Sequence, residues 1–111
     1  MSNRIPVAAG QEDAFPERFR SRAGLVEAHA GFLRLDILKP TGIDTYGRRM
    51  GRSPYYIILT YWDRGGNFVA WTNSKDFKTA HSDRPPPEMF AGENVFELHE
   101  LIQSADPAAA S

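Results

Sequence analysis

The sequence predicts an α+β domain in which two helices cover one face of an antiparallel sheet. Alternating or continuous apolar runs predict four strands, over residues 2–7, Phe32–Leu38, Tyr55–Trp62 and residues 95–102. Helical periodicity predicts one helix between the first two strands and another between the last two. The resulting order of strand, helix, strand, strand, helix, strand is that of the ferredoxin-like split β-α-β sandwich.

Composition limits the class of protein. The 111 residues suffice for one domain, and 13 basic against 14 acidic residues give a net charge of −1, which disfavours nucleic acid or an anionic membrane as partner. The absence of cysteine excludes disulfides, thiolate metal sites and a cysteine nucleophile, and suits a cytoplasmic location. No apolar run approaches a membrane span. We expect a single domain over residues 1–103 and a disordered tail over residues 104–111.

The first strand and the first helix each contain a proline. Pro6 has no N–H and is expected at a strand end or a bulge. With Asp13 as N-cap, Pro16 falls in the first helical turn, where its missing N–H would have had no partner. Gly31 is expected to end this helix in a left-handed cap, with His29 in the last turn stabilised by the helix dipole. The apolar stripe of the helix consists of Phe15, Phe19, Ala23 and Val26.

The second and third strands differ in how many of their faces are apolar. Tyr55–Trp62 is apolar on both faces and is therefore expected in the interior of the sheet, covered on both sides. Two helices can cover only one face, so we expect a second copy to cover the other, giving a homodimer with a dimeric α+β barrel. By contrast, Phe32–Leu38 alternates and places on one face Leu33, Leu35 and Ile37.

The segments that flank the third strand are polar or short. Residues 41–54 form a glycine-containing connection, and its three arginines are interpreted as part of a solvated loop rather than an anion site. Residues 67–73 are expected to form a short helix, and Ser74 to cap a further turn over residues 75–81. The three arginines are Arg48, Arg49 and Arg52.

The surroundings of His81 suggest a ligand site. His81 closes a short helical segment that also contains Trp71 and Phe77, where a neutral imidazole could serve as an axial ligand facing an apolar pocket. From these residues alone, packing of the imidazole and ligation by it both remain open. His29 and His99 are interpreted as structural, and no metal-ligand spacing joins His99 to His81.

Six segments carry a resemblance to a known family. They are NRI (residues 3–5), RFRSRAGLV (18–26), GFL (31–33), TYW (60–62), FVAW (68–71) and SKDFKTAH (74–81). In these segments the sequence resembles the IsdG-like haem-degrading monooxygenases of the antibiotic-biosynthesis monooxygenase superfamily, which are dimeric ferredoxin-like proteins. The most specific part of the resemblance is the order of Asn3, Trp71 and, ten residues later, His81.

The resemblance implies that haem is both cofactor and substrate. The porphyrin would be opened with O2 and electrons from an unknown external reductase, and iron would be released. His81 would be the proximal ligand of the haem iron, Asn3 the distal amide, and Trp71 an indole pressed on the porphyrin to distort it.

The first helix would supply further haem contacts. Arg18 and Arg22 are candidates for binding the carboxylate side chains of haem, and Phe19 lies on the same helix. A solvated helix face remains the alternative for the two arginines.

Two other functions also remain open. A cofactor-independent monooxygenase of the same superfamily, oxidising a polycyclic phenol to a quinone, would also use Asn and Trp. It needs no iron ligand, so His81 argues against it. The third possibility is a non-catalytic dimeric haem-binding or stress-associated protein.

Overall fold

The chain forms a four-stranded antiparallel sheet with helices and a separate two-stranded hairpin. A computed structural model describes residues 1–20, 25–45, 47–50, 53–82 and 85–107. The strands are β1 (Ser2–Pro6), β2 (Phe32–Leu38), β3 (Ile43–Thr45), β4 (Arg48–Met50), β5 (Tyr55–Trp62) and β6 (Val95–Glu97). The helices are α1 (Ala14–Arg20), α2 (Gly65–Thr72) and α3 (Lys75–Ala80), with 3-10 turns at Val26–Ala28 and Pro87–Met89.

The sheet order is β2-β5-β1-β6, and every neighbouring pair is antiparallel. β5 lies in the interior of the sheet, as its apolar sequence predicts, and Pro6 ends β1. This arrangement confirms the ferredoxin-like prediction.

Both main helices lie on the same face of the sheet. Phe15 of α1 meets Tyr56 of β5 edge-on, with ring centroids 5.2 Å apart. Phe68 of α2 meets Trp62, six residues further along β5 and therefore on the same face, at 6.0 Å. The apolar side chains that are buried in the described part of the chain are Ile5, Phe15, Tyr56, Ile58, Trp71 and Met89.

β2 contains a bulge that the alternating pattern did not predict. Phe32 pairs with Trp62 and Arg34 with Tyr61, so Leu33 is the extra residue and is 63% exposed. Phe32, rather than Leu33, therefore shares the helix-covered face with Leu35. The aromatic contact between Phe32 and Trp62, at 5.6 Å, favours this register.

The prediction that the first helix continues to Gly31 is wrong. Val26–Ala28 forms a 3-10 turn, and His29 after it is extended, with φ −84° and ψ 145°. The Asp63 N–H donates to the Gly31 carbonyl at 2.8 Å, which ties this segment to the end of β5. Gly31 does have the predicted left-handed conformation, with φ 79°.

The arginine-containing connection is more ordered than predicted. Ile43–Thr45 and Arg48–Met50 pair as an antiparallel hairpin, which corrects the loop prediction for Arg48 and Arg49. Arg52 lies outside the described residues.

The last strand is shorter than predicted. β6 pairs with β1, and Glu97 is already opposite Ser2, the first residue of β1. Residues 98–102 are not paired in this sheet and are exposed. His99 consequently lies outside the strand to which it was assigned. None of the helices in the described ranges is long and apolar enough to cross a membrane.

Candidate functional site

His81 lies at the carboxyl end of α3. The helix begins as predicted, because the Ser74 Oγ accepts a hydrogen bond from the Phe77 N–H at 3.1 Å. His81 is the C-cap, and its backbone N–H donates to the carbonyls of Phe77 and Thr79. Its side chain is exposed. The cap therefore presents an imidazole at the surface of a short, well-bounded helix.

The imidazole of His81 is held in one orientation by Phe77. Its Nδ1 lies 2.8 Å from the Phe77 carbonyl oxygen, and the two rings stack with centroids 4.1 Å apart and an interplanar angle of 30°. A carbonyl can only accept, so in the neutral imidazole Nδ1 carries the proton and Nε2 has the free lone pair. This is the arrangement by which proteins orient a histidine that ligates a metal through Nε2.

Trp71 connects to this histidine through the same phenylalanine. The indole is 7% exposed, and its ring meets the Phe77 ring edge-on at 5.6 Å. The Ser74 Oγ donates to the Trp71 carbonyl at 2.7 Å, which ties the end of α2 to the start of α3. The structure thus brings Trp71 and His81 together as one aromatic cluster with Phe77.

Asn3 lies on β1 and faces the helix-covered side of the sheet. Its register partners are Ile58 on β5 and Phe96 on β6, and the Phe96 ring is 67% exposed. The Asn3 Oδ1 is buried and has no hydrogen-bond partner among the described residues. A buried polar atom left unpaired costs about 1–3 kcal/mol, so this oxygen does not contribute to the stability of the fold.

The residues predicted on the first helix have different environments. Arg18 is half-buried on α1. Phe19 packs against the core, edge-on to Phe15 at 5.1 Å. Arg22 lies outside the described residues.

The sequence did not predict the contacts of His29. Its Nε2 lies 3.0 Å from the Asp76 Oδ2, and its ring meets Trp71 edge-on at 4.8 Å and 70°. The predicted dipole interaction at a helix end is therefore wrong for His29. The His29–Asp76 contact spans 47 residues, and no local pattern in the sequence signals it.

A separate cavity of about 550 Å³ lies at the amino end of α1. Three carboxylates and Tyr56 contribute to its lining, whereas Asn3, Trp71 and His81 do not. The carboxylates belong to Glu12, Asp13 and Glu17.

A protein-family model matches most of this chain. Residues 1–83, which include Asn3, Trp71 and His81, match the family model described as "Antibiotic biosynthesis monooxygenase". A relative from Staphylococcus haemolyticus, named "Heme oxygenase (staphylobilin-producing)", is 32% identical over 84 residues, covering 76% of this chain and 73% of its own length. A relative from Halalkalibacterium halodurans, named "Heme-degrading monooxygenase", is 28% identical over 111 residues, covering 100% of this chain and 88% of its own length.

The fold also matches a solved structure that contains bound ligand. The heme-degrader MhuD from Mycobacterium tuberculosis, solved with two hemes bound in its active site, gives a TM-score of 0.62 at 28% identity. The match covers 92% of this chain and 96% of that protein.

Proposed function

The chain belongs to the antibiotic biosynthesis monooxygenase family, and we propose that it is a haem-degrading monooxygenase that binds haem through His81. The reaction opens the porphyrin with O2 and external electrons and releases iron. The observation that carries this proposal is the exposed His81 imidazole, whose Nδ1 is bonded to the Phe77 carbonyl at 2.8 Å so that Nε2 is available. The named functions of the relatives from S. haemolyticus and H. halodurans support it.

The residues present fit haem on three counts. The Nε2 of His81 is a suitable axial ligand for haem iron. The rings of Trp71 and Phe77 provide apolar aromatic surface beside that ligand. Asn3 lies on the helix-covered side of the sheet, and its buried Oδ1 has no partner among the described residues, so this oxygen does not tie the amide to a neighbouring group.

Each side chain has a distinct part in the proposed reaction. When bound, haem supplies both the O2-activating iron and the carbon skeleton that is oxidised. His81 would hold the haem iron through its Nε2. Asn3 would offer O2 an amide N–H as a hydrogen-bond donor without freely supplying a proton. Trp71 is buried and held between two rings, so it gives a rigid surface that can distort the porphyrin. Arg18 and Arg22 are proposed to bind the haem carboxylates, with Phe19 beside them.

The proposed function is tested by adding hemin and then a reductant. We expect a Soret shift that saturates at about one haem per chain, followed by loss of the Soret band under ascorbate and air, with iron captured by a chelator. Absence of a Soret shift would favour the cofactor-independent oxidation of a phenol. A shift that persists under ascorbate would favour a non-catalytic haem-binding protein.

Two substitutions of Trp71 distinguish a role in distorting the porphyrin ring from a role in packing the core. Trp71→Phe should keep part of the haem-degrading activity, whereas Trp71→Ala should lose more while haem stays ligated by His81. Removing the buried indole also costs about 3–5 kcal/mol of folding free energy, so rates are compared per folded molecule. If Trp71→Ala lowers the melting temperature and leaves that rate unchanged, the indole acts only in packing.

We also propose that the chain functions as a homodimer through the face of the sheet opposite α1 and α2. Ile57, Leu59 and Tyr61 of β5 lie on this face and are only half-buried within one chain. Arg34 lies over the Tyr61 ring at 5.3 Å and binds the Asp36 carboxylate at 2.7 Å, so its charge already has a partner in its own chain. The hydrogen bond that the Arg34 guanidinium donates to the Asp36 carboxylate raises the pKa of Arg34.

The dimer proposal predicts different outcomes for two adjacent isoleucines of β5. Ile57 lies on the proposed interface, whereas Ile58 is 8% exposed in the core beneath the helices. Ile57→Asp should therefore give a folded monomer or an aggregate in sedimentation experiments, while Ile58→Asp should unfold the chain because it buries an unpaired carboxylate. A wild-type chain that sediments as a monomer at micromolar concentration would contradict the proposed dimer.

A further inference from the structure

We propose that His29 and Asp76 are positioning residues for Trp71, fixing the orientation in which the indole meets the porphyrin. This inference rests on the proposed haem-degrading function. It concerns residues that the family resemblance does not include among its site residues, namely an imidazole on the segment before β2 and a carboxylate in the first turn of α3.

The His29 ring defines one side of the Trp71 environment. His29 follows the 3-10 turn Val26–Ala28, and its backbone N–H donates to the Val26 carbonyl at 3.1 Å, which anchors the start of this extended segment. Its ring meets the indole edge-on at 4.8 Å, closer than the 5.6 Å of the Trp71–Phe77 contact. Edge-to-face contacts of this kind favour one relative orientation of the two rings.

Asp76 in turn fixes the His29 ring. The His29 Nε2 and the Asp76 Oδ2 are 3.0 Å apart, and the carboxylate can only accept, so the His29 Nε2–H donates this hydrogen bond. The His29 side chain is 23% exposed and that of Asp76 49%. The carboxylate therefore holds an imidazole that packing alone encloses only in part.

The His29–Asp76 contact connects the surroundings of Trp71 to α3, the same helix that carries His81 at its end. Asp76 is the second residue of α3, and His81 caps the other end of the same short helix. The indole thus lies between His29 on the segment before β2 and Phe77 on α3, and Phe77 itself stacks on His81. Rotation of the His29 ring would release the indole from one side without altering the imidazole that binds iron.

Matched substitutions separate the ring of His29 from its hydrogen bond. His29→Phe keeps a ring against Trp71 but loses the hydrogen bond to Asp76, whereas His29→Gln keeps a donor for Asp76 but loses the ring. Asp76→Asn keeps an acceptor without the charge, and Asp76→Ala removes the acceptor. All are made in a Trp62→Phe background, so that Trp71 is the only indole in the chain and reports its own environment by fluorescence.

The first measurement needs no haem. Acrylamide quenching of Trp71 fluorescence should rise, and its anisotropy should fall, in His29→Phe, His29→Gln and Asp76→Ala relative to the Trp62→Phe parent. Asp76→Asn should stay close to the parent, because an amide oxygen still accepts the hydrogen bond. Unchanged quenching and anisotropy in the first three variants would overturn the proposal.

The second measurement uses hemin and ascorbate. The rate of haem loss should fall about tenfold in His29→Gln and Asp76→Ala, while the ferric Soret band and haem affinity stay as in the parent, because His81 is unaltered. The double variant His29→Ala/Asp76→Ala should lose no more activity than His29→Ala alone, because both substitutions remove the same restraint. Additive losses, or a lower melting temperature with an unchanged rate per folded molecule, would overturn the inference. If the parent does not degrade haem, the proposed function fails, and the fluorescence measurements still decide whether the pair positions Trp71.

Discussion

His81→Ala is expected to remove the ferric Soret shift, or to weaken haem binding by at least about a hundredfold. Loss of a group that only hydrogen-bonds to a metal ligand already costs about 10–100-fold in metal affinity, so loss of the ligand itself should cost at least as much. The fold should persist, because the His81 side chain is exposed and its hydrogen bond to the Phe77 carbonyl contributes only about 1 kcal/mol. Hemin titration followed by absorbance, together with thermal melting, measures both effects.

His99→Ala is the matched control for His81→Ala. His99 is also an exposed histidine, but it lies beyond the end of β6 and has no assigned part in the site. Its substitution should leave haem affinity unchanged. An unaltered Soret titration in His81→Ala would refute His81 as the ligand and leave the imidazole as a helix cap that stacks on Phe77.

Asn3→Ala should bind haem normally and lose about ten- to a hundredfold in the rate of reductant-driven haem loss. This range corresponds to about 1.5–3 kcal/mol for one hydrogen bond to a charged group. The melting temperature should stay the same or rise, because the substitution removes a buried amide oxygen that has no partner among the described residues. Opposite effects on stability and activity are typical of a residue retained for function.

Ser2→Ala provides the control for Asn3→Ala. Ser2 is adjacent to Asn3 on β1, also half-buried, and on the opposite face of the sheet, so its loss should leave the rate of haem loss unchanged. Full turnover by a stable Asn3→Ala protein would show that the distal-amide role does not apply to this chain.

The elements that could be predicted from the sequence are those fixed by local periodicity or by a single cap. The apolar run of β5 predicted its interior position, and Ser74 predicted the start of α3. Both signals depend on residues within one or two turns of the chain. The topology then followed from the order of the elements.

The features that could not be predicted depend on distant partners. β6 pairs with β1 only as far as Glu97, which lies opposite Ser2, and the sequence after Glu97 contains no sign of this. The chain is extended at His29 rather than helical, and the Gly31 carbonyl accepts a hydrogen bond from the Asp63 N–H at the end of β5. In each case the local pattern does not reveal the contact with a distant segment.

Some features of the candidate site could likewise be predicted from the sequence, and others could not. Asn3, Trp71 and His81 were identified through the family resemblance, which depends on their order along the chain. The bond between the His81 Nδ1 and the Phe77 carbonyl spans four residues and follows from helix geometry. The contacts of His29 with Trp71 and Asp76 join segments far apart in the sequence, so only the folded structure shows them.

The bulge at Leu33 bears on how the length of this chain can change in evolution. Removing or adding one residue within a regular strand would move every following side chain to the other face of the sheet. At the bulge, one residue of β2 already stands outside the pairing with β5, so loss of Leu33 would leave Leu35 opposite Thr60 and Ile37 opposite Ile58. Single-residue gaps between homologues are therefore expected to fall at this position, and strand length within the rest of β2 to stay constant.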